Sequence, residues 1–209
     1  MGQMVSSVID SIQNDAEKQR LANDALNQME ELGNQQVESF MLAVTNRAVD
    51  AKLIPVGQIM HQESIVRCGI SNTPDDIGKE ITDAFGSFVK GDLAKGISTV
   101  VQDGIKALVG SYEGNKSTRT SYTITTGDLG GIQRVDIRMF AWRYSSKQLI
   151  DITKDMIAVA VIISSVDPKL VTDFSIRTLI QEQYGNLPLD QQQALLKTIL
   201  DAKKEASSV

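Results

Sequence analysis

Residues 118–144 read TRTSYTITTGDLGGIQRVDIRMFAWRY, two runs of alternating side chains around a glycine-rich turn. Tyr122 and Ile124 alternate with threonines. Val135, Ile137, Met139 and Ala141 alternate with Arg134, Asp136, Arg138 and Phe140. A period of two marks a half-buried strand, and Gly127-Asp128-Leu129-Gly130-Gly131 supplies the turn of a hairpin. Pairing Thr126 with Ile132 would set Ile124 opposite Arg134. Shifting by one sets Ile124 opposite Val135 and Tyr122 opposite Ile137, which gathers the apolar residues on one face. The second register is therefore expected, with Asp128–Gly131 as a four-residue loop. It leaves Arg134, Asp136, Arg138, Phe140, Trp142 and Tyr144 on the outer face, half charged and half aromatic, and the aromatic half needs a cover.

After the hairpin, Met156–Ile163 reads MIAVAVII and is apolar all round, as a central core helix would be. Asp167-Pro168 ends it. Two amphipathic helices follow, separated near Tyr184-Gly185-Asn186, the last running from Leu189 to Ala206. Before the hairpin, Thr73-Pro74-Asp75-Asp76 is a helix start: a capping threonine, proline in the first turn and acids at the positive helix end. Ile77, Ile81, Phe85 and Phe88 make one apolar face beyond it, and Leu93 to Leu108 make another. Residues 64–70 alternate as a short strand. Residues 4–52 carry helical periodicity, with Gly33-Asn34 as a break or bend. The expected fold is α+β and mostly helical: a small antiparallel sheet around the 118–144 hairpin, packed by amphipathic helices about a central apolar helix. Residues 1–52 would form a helical hairpin or one long helix, and 53–209 the α+β core domain.

Composition narrows the chemistry. A chain of 209 residues that is 42% hydrophobic and 22% charged can bury a core without disulfides or metals. With one His and one Cys, multi-histidine metal sites are excluded, as is any Ser-His or Cys-His enzyme not built on His61. The net charge of −5, with Lys203-Lys204 the only adjacent cations, gives no footing for nucleic acid. No secretory signal is visible, and no apolar run approaches the roughly 20 residues of a membrane span. The expected location is cytoplasmic or peripheral to a membrane.

Two features point to membranes or partners. Segment 77–110 has apolar residues at helical spacing, lysines on its polar side, and glycine at 78, 86, 91, 96, 104 and 110. Glycine is costly in a helix, so this density implies either close helix packing in a core or a marginal helix that opens onto a bilayer, a partner or a second copy. Asp83, Asp92 and Asp103 offset the lysines. The start, Met1-Gly2-Gln3-Met4-Val5-Ser6, matches the pattern for myristoylation at Gly2, and Cys68 is a second candidate for acylation. No cofactor is expected beyond a covalent or bound fatty acid. The leading expectation is a non-enzymatic interaction protein, effector-like and acylated, that reaches a partner or membrane through amphipathic helices. Phe85, Phe88, Phe140, Trp142 and Tyr144 are the candidate apolar surface. One alternative is a carrier of an apolar ligand or lipid, with Phe140, Trp142 and Tyr144 on the pocket wall. The other is an enzyme in which His61, oriented by Glu63, activates Cys68.

Overall fold

The computed structural model describes residues 16–46, 54–68, 104, 107–108, 116–126, 131–143 and 155–207. Helix α1 (Ala16–Thr45) precedes strands β1 (Ile59–Cys68), β2 (Lys116–Thr126), β3 (Ile132–Arg143) and β4 (Asp155–Val166). A 3₁₀ turn (Pro168–Leu170) and helices α2 (Asp173–Tyr184) and α3 (Leu189–Ser207) complete the order. The strands form one antiparallel sheet in the order β1-β4-β3-β2, so the fold class is α+β. The described residues fall in two compact units. One is drawn from Met1–Phe40, Ser64–Thr120 and Arg138–Ala160, the other from Met41–Glu63, Ser121–Ile137 and Val161–Val209.

The expected central helix over Met156–Val166 is instead β4, an inner strand of the sheet. Every residue from Met156 to Ser164 is buried. A strand covered on both faces loses its polar-apolar alternation and reads as a continuous apolar run, which periodicity alone cannot tell from a buried helix. Five of the eight residues Met156–Ile163 are β-branched, and such side chains fit a pleated sheet better than a helix.

In the first unit, α1 buries Ala22, Ala25, Leu26, Met29 and Phe40 along one stripe. The helix runs through Gly33 without a break. A β-carbon on Gly33 would lie 2.6 Å from Val66 Cγ1 and 3.2 Å from Met156 Sδ, so this glycine permits close approach of helix and sheet. Met29, Phe140, Met156 and Ala158 form the core here, flanked by Leu32, Val37, Val66, Cys68 and Trp142.

In the second unit, Ile54, Ile124, Ile132 and Val166 pack against Val171, Ile176, Leu179, Ile180 and Ile199 from the C-terminal segment. Asp167 caps the 3₁₀ turn by accepting from Lys169 N, and Thr172 Oγ1 caps α2 by accepting from Ser175 N at 3.0 Å. The hydroxyls of Tyr184 and Thr123 lie 2.6 Å apart and share a hydrogen bond.

The hairpin register differs from the one expected. Tyr122 stacks on Arg134, the guanidinium carbon 3.8 Å from the ring centroid, and Ile124 packs with Ile132. Even-numbered residues of the two strands thus share a face. The expected register assumed that Arg134 and Asp136 seek solvent, yet each is 1% exposed. Arg134 Nε donates to Asp136 Oδ1 and Oδ2 at 3.1 and 2.9 Å, and Nη2 donates to Oδ1 at 2.7 Å. Nη1 donates to the Ile54 carbonyl. With its charge matched and its donors engaged, the arginine can be buried.

Candidate functional site

The first unit contains a groove of about 750 Å³, lined by Leu32 and Gln36 of α1, Lys116, Ser117 and Thr118 of β2, and Phe140 and Trp142 of β3. Its construction follows from two periodicities. Leu32 and Gln36 lie one helical turn apart and share a face of α1. Phe140 and Trp142 lie two residues apart and share a face of β3. Phe140 is almost fully buried and makes the floor, while Leu32 and Trp142 are half-buried walls. The first residues of β2 give a polar rim, with the Lys116 ammonium and the Thr118 hydroxyl on one strand face. Three apolar and four polar residues line it, and its volume falls within the roughly 300–1,000 Å³ of small-molecule sites.

Arg138 stands behind this groove. Its Nη2 donates to Gln36 Oε1 at 3.4 Å, and its guanidinium carbon lies 5.9 Å from the Phe40 ring centroid. Its Nε is buried without a hydrogen-bond partner.

The cover required by the aromatic half of β3 is α1, since Met29 and Leu32 pack with Phe140 and Trp142. That face of β3 is therefore not an outer one: Arg134, Asp136 and Phe140 on it are all buried. Of the candidate apolar surface, Phe140 and Trp142 are brought together in the groove. Phe85, Phe88, Tyr144 and the candidate acylation site Gly2 lie outside the described residues. So does most of segment 77–110, apart from Gly104, Ala107 and Leu108. Gly104 is buried, and a β-carbon there would meet Met139 Sδ at 2.5 Å; Leu108 is also buried.

Cys68 ends β1 and packs on the Met29–Phe140–Met156 cluster. Burial, and secondarily the negative charge of Glu30, push its thiol up to about 12. His61 precedes it by seven residues on the same strand. An odd separation sends the two side chains to opposite faces, about 23 Å apart along the strand, so they do not form a nucleophile–base pair.

Leu32, Gln36, Lys116, Ser117 and Thr118 were not singled out by sequence reasoning. The polar run at the start of β2 carries no motif, and only the hairpin register places it beside the aromatics of β3. No protein-family model matches the chain, and no curated protein shows significant similarity to it. No described helix is long and apolar enough to cross a membrane, and the described residues hold no cluster suited to a metal ion.

Proposed function

We propose that this is a non-enzymatic binding protein and that the groove between α1 and the β2–β3 hairpin holds a small apolar ligand. The observation that carries the reading is the pairing of Phe140 and Trp142 with Leu32 around a volume of about 750 Å³ under a polar rim. Aromatic walls offer large apolar area, and their burial by a ligand supplies roughly 25 cal/mol per Å² before the costs of association. The buried Gly104 and Leu108 favour this carrier reading over attachment to a membrane or partner through segment 77–110. Glycine at 104 serves close packing on Met139, the core role that the glycine density allows.

The test is extraction of the purified protein with organic solvent, followed by mass spectrometry of the extract. A carrier yields an apolar molecule in near-stoichiometric amount. An empty extract, combined with no response of the protein to added alkyl compounds, refutes the proposal.

A further inference from the structure

Among the described residues that line the groove, Lys116 alone is charged; it is exposed and has no acidic partner among them. No carboxylate joins the described lining, although acids outnumber bases in the chain by 26 to 21. Thr118, on the same strand face as the lysine, is a hydroxyl donor. Gln36 has its carbonyl oxygen engaged by Arg138, which leaves its amide N–H groups as the end that can donate. Arg138 adds a second cation behind Gln36, without a carboxylate on it among the described residues. Among the described lining groups, therefore, the Lys116 ammonium, the Thr118 hydroxyl and the Gln36 amide can each donate and the net charge is positive, whereas Leu32, Phe140 and Trp142 are apolar.

We infer that the ligand is an apolar chain ending in a carboxylate, with the carboxylate on the Lys116 ammonium and the Thr118 hydroxyl and the chain along Leu32, Phe140 and Trp142. One ammonium and neutral donors match a monoanion, and charge complementarity is what separates this ligand from a neutral one of equal length. The inference rests on the carrier reading of the groove.

Trp142 is the only tryptophan of the chain, so its emission reports on the groove directly. The experiment titrates the full-length protein at neutral pH with decanoate and with 1-decanol, following Trp142 fluorescence. Decanoate is expected to bind at least about tenfold tighter than decanol, the scale of one charge-assisted hydrogen bond. In K116Q, an exposed position where the fold is not at stake, the ratio of decanoate to decanol affinity should fall towards one. The preference for decanoate should also shrink as salt is raised. Equal affinity for acid and alcohol overturns the anionic inference and leaves the carrier reading standing. A decanoate preference that K116Q does not touch overturns the assignment to Lys116. Silence towards both probes overturns the carrier reading and the inference with it.

Discussion

Replacing Asp136 by leucine removes the carboxylate that pairs with Arg134, in a site where both side chains are at most 2% exposed. Arg134 cannot shed its proton, and burial denies it water. The variant should lose about 3–5 kcal/mol, the cost of stranding one member of a buried pair. The double variant R134M/D136L removes both charges. Its remaining defect is the Ile54 carbonyl, which loses the donation from Arg134 Nη1, a loss of about 1–3 kcal/mol. The double variant should thus be more stable than D136L alone. The single variant R134M adds a pH signature. Burial already holds the Asp136 carboxyl above its ordinary value of 3.8 against the opposing pull of Arg134. A carboxyl raised on folding contributes stability that is present below its unfolded value and is lost as pH rises through its folded value. Without Arg134 the carboxyl rises further, so R134M should weaken as pH climbs above about 3.8, more steeply than R134M/D136L. Urea unfolding of the four proteins, followed by circular dichroism across the acidic range, measures these terms. A double variant that loses as much as the two single losses added would refute the reasoning.

Gly33→Ala should destabilise the protein by up to about 2 kcal/mol, the roughly 1–3 kcal/mol of overpacking where its β-carbon meets Val66 Cγ1 at 2.6 Å less the roughly 1 kcal/mol gained in helix propensity; a raised urea midpoint would contradict the close approach. Thr172→Ala removes the cap on Ser175 N and should cost about 1 kcal/mol, read from the same unfolding curves, with T172S retaining most of it. Cys68, its thiol pushed up to about 12, should react with iodoacetamide at neutral pH at least about tenfold slower than a peptide thiol, since only the thiolate attacks and its greater nucleophilicity offsets part of the loss; labelling at the peptide rate would contradict its placement on the Met29 cluster.

The hairpin and the C-terminal helices were legible because each rests on local patterning: the period of two in 132–142, a turn rich in glycine, and helical spacing of apolar residues beyond 170 and from 189. Gly131 at the hairpin turn has φ +83°, the conformation that its glycine permits. What was not legible depends on burial on a second face. Met156–Ile163 gives no alternation because both sides of β4 are covered, so its sequence fits either a core helix or a central strand. The register failed for a related reason. Placing Arg134 outward follows from charge, and only the tertiary fold brings Asp136, Tyr122 and the Ile54 carbonyl around it. Gly33 looked like a helix end because glycine costs helix stability, whereas its cause is a neighbour, Val66, distant in sequence. The groove was half legible. Phe140 and Trp142 stand out as aromatics on a strand face that needs a cover, but Leu32, Gln36 and Lys116–Thr118 join them only through the helix–sheet packing and the true register.

The most direct test of the binding site is photocrosslinking. A decanoate analogue with a diazirine in its alkyl chain would be bound to the protein, irradiated, and the labelled peptides mapped by mass spectrometry. The account predicts labels at Leu32–Gln36 and Phe140–Trp142, displaced by unlabelled decanoate. Labels confined to the exposed apolar side chains Leu170 and Phe174, 66% and 74% accessible, would contradict it and move the binding surface to the C-terminal segment.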